Sequence, residues 1–148
     1  MHKIPQAIIK LLRSFQGLSL LLMRFILAYG FYEPAVRKLS NFDATVAWFT
    51  NTLHLPYPYW NAVLATTTEA LGVVFLALGL KTRLICIPLM VTMLVAITMV
   101  HWKNGFAASA SGYEIPLYYF IMLFVLATTG PGKYSLDETA LKKWFGTN

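Results

Sequence analysis

From Leu84 to Val100 the chain reads LICIPLMVTMLVAITMV, without a single charge. A bilayer-crossing helix needs about 17–25 mostly apolar residues, because its backbone polar groups find no water in hydrocarbon and must bond one another. Three other stretches meet this requirement: roughly 15–32 (FQGLSLLLMRFILAYGFY), 60–80 (WNAVLATTTEALGVVFLALGL) and 113–129 (YEIPLYYFIMLFVLATT). With 84–100 they predict an all-α integral membrane four-helix bundle, one domain over residues 1–148. Only KTR separates the second and third spans, so those two should form a tight antiparallel hairpin.

Composition agrees. Hydrophobic residues make up 57% of the chain and charged residues 12%, with a mean hydropathy of +0.59. A soluble domain carries about twice that charge. The net charge of +6 comes from basic residues scattered among apolar runs. They form no stripe suited to a phosphate backbone, so no nucleic-acid partner is expected. The lone cysteine, Cys86, allows no intrachain disulfide, CxxC pair or Cys-rich zinc site. No metal site is expected. The N-terminus shows no small-residue cleavage site, and the first span reads as retained.

Lys and Arg set the orientation. Lys3, Lys10, Arg13, Lys81, Arg83, Lys133, Lys142 and Lys143 fall on one side, against Arg37, Lys38 and Lys103 on the other. The positive-inside rule then predicts cytoplasmic termini and an outer connection at 101–112. Amphipathic segments are expected beside the spans. Ile4, Ile8, Leu11 and Phe15 make an N-terminal lead-in. Phe42, Val46, Phe49 and Leu53, after a cap at Ser40 or Asn41, predict a short interfacial helix in the first outer loop. Ser135 and Glu138 read as a capping box for a last amphipathic turn ending near Trp144.

Two charges stand inside the spans. Arg24 lies midway along the first and Glu69 midway along the second, where an uncompensated charge costs at least about 2.5–3.5 kcal/mol. The economical expectation is that they pair, an arrangement that serves helix register or a site. Ala62, Ala65, Thr66 and Gly72 share the face of Glu69 and are small enough for close helix approach. In HWKNGFAASASGYEIP, His101 and Glu114 stand at the ends of the third and fourth spans, joined by a short loop. They are expected to flank an outward-facing polar mouth above Arg24 and Glu69, with Glu33 joining from the first span.

Arg24, then Glu69 followed by LGVVFLALGLKTR, HWKNGF, GYEIPLYY and GPGKYSLD, in that order and spacing, resemble the DoxX family over about residues 16–137. The resemblance implies a small four-helix protein of the bacterial inner membrane. It also implies kinship with a subunit of an archaeal quinone-linked thiosulfate-oxidising system, some relatives being tied to membrane redox or metal stress. Carried over, it points to Arg24, Glu69, His101 and Glu114 as a polar centre. Glu33-Pro34 departs from the Gly and apolar residues of many relatives.

The functional expectation is a quinone- or small-molecule-binding subunit of a membrane redox or stress-response system. Arg24, Glu69, His101, Glu114 and Glu33 would serve ligand binding or proton exchange. A soluble or peripheral redox partner would supply electrons, since the chain has no CxxCH, CxxC or GxGxxG. Lipid contact is certain on this reading, and self-association is open, as is whether any reaction is catalysed. The alternatives are a scaffold for a partner protein and a small-molecule or metal permease using Met90, Met93, Met99 and Cys86.

Overall fold

The computed structural model describes residues 5–139. Among these residues the chain forms, in order, α1 (Gln6–Ser14), α2 (Gln16–Ser40), α3 (Phe42–Asn51), α4 (Pro58–Leu78), α5 (Thr82–Val95) and α6 (Glu114–Thr129), and is helical again over 136–139. A π-helical turn, Ala96–His101, prolongs α5. The helices 6–40, 58–78 and 82–104 are each long and apolar enough to cross a membrane. The fourth, α6, is apolar as well but shorter, with 16 residues.

The bundle is built inside out for lipid. Leu22, Phe25, Ile26 and Tyr29 of α2 and Leu84, Ile87, Val91 and Leu94 of α5 lie exposed. Leu27, Leu76, Leu89, Leu123 and Leu126 are fully enclosed. Lipid tails are as apolar as leucine, so close packing, at about 0.1–0.2 kcal/mol per atom pair, holds these helices together. The small-residue face of α4 serves that purpose: Ala62, Thr66 and Gly72 are all buried. Gly30 of α2 does the same for α6, since a Cβ there would collide with the Tyr119 hydroxyl.

Local chemistry explains the ends. Pro58 opens α4 at its first turn, where a missing N–H costs nothing. Gly79 closes it in the left-handed conformation (φ +67°). Leu80 N then donates to Phe75 O at 2.9 Å and Gly79 N to Leu76 O at 3.3 Å, a Schellman ending. Across the turn, Asp137 accepts from Lys81 N at 2.8 Å and Thr82 N at 3.0 Å, capping α5, while its own N–H donates to Gly79 O at 3.0 Å. The hairpin expected around KTR is therefore clamped by the segment after α6. The capping hydroxyl of Ser135 accepts from Glu138 N at 3.2 Å. The rest of that expected turn, toward Trp144, lies outside the described residues, as does Ile4 of the N-terminal lead-in.

One boundary and one orientation differ from expectation. The first span does not stop at Tyr32: α2 runs through Pro34 to Ser40. Pro34 cannot donate to the Gly30 carbonyl, but the inward face Leu27, Phe31, Ala35 stays buried across it, and that packing carries the helix on. The helix α3 forms where expected, yet its apolar face is turned onto the bundle. Phe49 and Leu53 are buried with Ala62 of α4, with Val46 and Val100 packed around them.

Candidate functional site

The two intramembrane charges do not meet. Glu69, 3% exposed, is paired with Lys38, whose Nζ stands 2.5 Å from Oε2. Arg24, fully buried, donates from Nη2 to the Tyr134 carbonyl at 2.5 Å, with Asp137 as its acidic neighbour. Its Nε and Nη1 have no hydrogen-bond partner among the described residues. The expected Arg24–Glu69 pair is thus corrected to two separate arrangements. The reason is the lean of helical side chains toward their own N-terminus. On the antiparallel pair α2 and α4, that lean carries the Arg24 head toward the α4–α5 turn and the Glu69 head the opposite way. Lys38, fourteen residues along α2 from Arg24 or roughly 20 Å at 1.5 Å per residue, leans back to meet Glu69.

This ion pair lies in the wall of a cavity of about 1060 Å³ between α2, α3, α4, α5 and α6. Phe31, Trp48, Phe49, Leu53, Leu64, Val91 and Val95 give it apolar walls. Its polar groups are the ion pair Lys38–Glu69 with Arg37, and Asn41, Thr45, Asn61, Thr68, Thr92, His101 and Tyr119 elsewhere on the lining. Arg37 also acts electrostatically on Glu69, so two cations face one carboxylate. Volume and lining match what small-molecule sites commonly show, an apolar chamber with a few placed polar groups.

Of the five residues expected to form the site, Glu69 and His101 line this cavity; Arg24, Glu33 and Glu114 do not. Glu33 is exposed, on the face of α2 opposite the buried stripe Leu27, Phe31, Ala35. Glu114 is occupied within its own loop, accepting from Ala108 N at 2.8 Å and from the Tyr118 hydroxyl at 3.0 Å. The expected polar mouth is instead a largely apolar chamber.

The loop that joins His101 and Glu114 is closely tied. Tyr113 N donates to Gly105 O at 3.1 Å and Glu114 N to Phe106 O at 3.0 Å. Trp102 stacks on Tyr113 at 5.3 Å between ring centroids. Ser111 takes the left-handed conformation (φ +58°), uncommon for a residue with a Cβ, and its carbonyl accepts from Asn104 Nδ2 at 3.1 Å. His101 Nδ1 lies 2.6 Å from that same oxygen. The π-helical turn ends at His101, and such turns recur at functional sites because the extra residue re-aims side chains.

Sequence reasoning missed Lys38, Arg37, Tyr119 and Asp137. Ending the first span at Tyr32 put Arg37 and Lys38 in a loop, where they served only as orientation markers. The signal was present: Leu20, Arg24, Leu27, Phe31, Ala35 and Lys38 recur at three- and four-residue steps through Pro34.

Helices long and apolar enough for a bilayer, packed as a four-helix bundle with charges held inside it, define a membrane protein. Residues 19–102, more than half of the chain, match the DoxX family. An uncharacterized protein of Haemophilus influenzae is 31% identical over 140 residues, spanning 88% of each chain. The chain belongs to the DoxX family. No solved structure matches it.

Proposed function

We propose that this protein binds an amphipathic small molecule of the quinone class in the cavity lined by Lys38 and Glu69, as a subunit of a membrane redox or stress-response system. The observation that carries this reading is an ion pair between a buried carboxylate, Glu69, and a half-buried ammonium, Lys38, in the wall of a large, mostly apolar cavity. A charge pair in such surroundings is expensive to keep, and ionisable residues inside membranes commonly mark substrate or proton routes. The apolar walls suit a ring and tail; Lys38 offers hydrogen-bond donors, Glu69 acceptors and His101 a ring nitrogen, three groups on the one lining available to the oxygens of a polar head. A quinone bound there would supply two-electron, two-proton chemistry, its electrons passing to or from a partner protein. The family motifs KTR and GPGKYSLD, by contrast, read as structural here, since Asp137 and Arg24 tie the α4–α5 turn to the segment after α6.

The test is direct. Protein purified in mild detergent, extracted with organic solvent, should release a quinone in near-stoichiometric amount. Glu69→Gln should lower that amount at least several-fold. A folded wild-type protein that retains no quinone and binds no added short-chain benzoquinone would rule the reading out. A protein partner co-purifying in its place would favour the scaffold role.

Orientation belongs to the same proposal. The basic excess lies at the end of the bundle holding α1, the α4–α5 turn and Lys133, which we assign to the cytoplasmic side of a bacterial inner membrane. The cavity then opens outward. Cysteine placed at Asn104 in a Cys86→Ala background should react with an impermeant thiol reagent on intact spheroplasts. Labelling only after lysis would reverse the assignment.

A further inference from the structure

The loop from Trp102 to Glu114 fixes one ring. His101 Nδ1 lies 2.6 Å from the Ser111 carbonyl oxygen. A carbonyl has no proton to give, so Nδ1 must carry the hydrogen and donate it. In a neutral imidazole that leaves Nε2 with a bare lone pair. His101 lines the cavity, and the oxygen that orients its ring belongs to a residue held in a left-handed backbone conformation. A second donor to that oxygen, Asn104 Nδ2, and the backbone hydrogen bonds from Tyr113 to Gly105 and from Glu114 to Phe106 hold Ser111 in place. Strain of this kind persists only where the surroundings over-determine it, and here the over-determined group is the partner of His101.

We infer that His101 is locked as the Nδ1–H tautomer, and that its Nε2 is an acceptor selecting ligands whose head carries a hydroxyl donor. Resting on the quinone-class reading above, this means the reduced, dihydroxy form binds in preference to the oxidised dicarbonyl form. A hydroquinone hydroxyl donates to Nε2; a quinone carbonyl at the same place meets lone pair against lone pair. His101 is then a specificity-determining residue and Ser111 a positioning residue acting through it. Binding alone is involved, with no bond made or broken.

Two measurements test this, both on the whole protein in detergent at about pH 8, above the ordinary imidazole range of about 6.5. The first is a long-range nitrogen–proton NMR correlation on histidine-labelled wild-type protein, with the His101 signals identified by their absence in His101→Phe. The expected pattern is a protonated Nδ1 and an unprotonated Nε2; the opposite tautomer, or an even mixture, overturns the inference. The second compares anaerobic binding of a decyl-tailed benzoquinone with that of its dithionite-reduced hydroquinone. One hydrogen bond to a confined acceptor corresponds to roughly a tenfold preference for the reduced form. His101→Phe should bring that ratio close to one. Equal affinity of the two forms for the wild type, or a preference that survives His101→Phe, overturns the inference while leaving the quinone-class reading standing. Binding of neither form removes both. Should His101→Phe fail to fold, the wild-type ratio still decides, with the tautomer then read from the histidine signals that His2→Gln and His54→Gln leave in place.

Discussion

Replacing Asp137 by alanine is expected to remove most of the folded protein from a detergent extract, and adding Arg24→Leu is expected to restore part of it. Asp137 does two jobs at once. Its carboxylate takes the Lys81 and Thr82 amides at the start of α5, and it is the acidic neighbour of the buried Arg24 guanidinium. Losing the cap costs about 1 kcal/mol, the usual figure for such positions. Breaking a buried ion pair in direct contact costs about 3–5 kcal/mol; Asp137 acts on Arg24 without such a contact, so the loss falls below that range but above the cap's. That loss dominates, and it is the one that removing Arg24 relieves. Arg24→Leu forfeits one hydrogen bond to the Tyr134 carbonyl, worth about 1 kcal/mol, but also removes two N–H-bearing atoms that lack partners among the described residues. The double variant should therefore outlast Asp137→Ala alone in thermal unfolding followed by size-exclusion chromatography. Equal or additive losses would show that Arg24 and Asp137 are energetically independent.

The second large effect concerns Lys38 and Glu69. Lys38→Met leaves a carboxylate 3% exposed with its bonded partner gone; Glu69→Gln leaves an ammonium facing a neutral amide. Each single change should cost near the lower end of about 3–5 kcal/mol, because Lys38 retains some access to solvent through the cavity. The double variant, with both charges removed, should unfold close to the wild-type temperature. Its ligand retention, on the proposed reading, should stay lost, since the ion pair is gone from the lining. A cycle in which the two single costs simply add would mean that the pair seen here is not coupled. Arg24→Leu combined with Glu69→Gln should show no coupling beyond additivity, because their heads sit in separate layers.

Much of this protein was legible before any fold was known. The hydropathy of four segments, the KTR hairpin, the small-residue face Ala62, Thr66, Gly72 and the helix of the first loop all reappear where the residues placed them. These features depend on local quantities: the length of an apolar run, the three-and-four spacing of one face, the turn chemistry of Gly79. Each is decided within a few turns of helix. The family resemblance was legible for the same reason, as an order of short motifs along the chain.

What each charge touches was decided elsewhere. The sequence put Arg24 and Glu69 at mid-span and made them natural partners, since counting residues measures where a Cα lies. Long side chains lean toward their helix N-terminus, so on antiparallel helices two heads from the same depth move apart. Whether α2 stopped at Tyr32 or went on to Lys38 turned on packing across Pro34, which only the neighbouring helices supply. Glu114 was likewise claimed by the Ala108 amide and the Tyr118 hydroxyl once the loop closed. Hydropathy and period are properties of one segment and can be read from it. The partner of a buried charge is a property of two segments and of the direction in which each side chain points, and the tertiary structure alone brings those together.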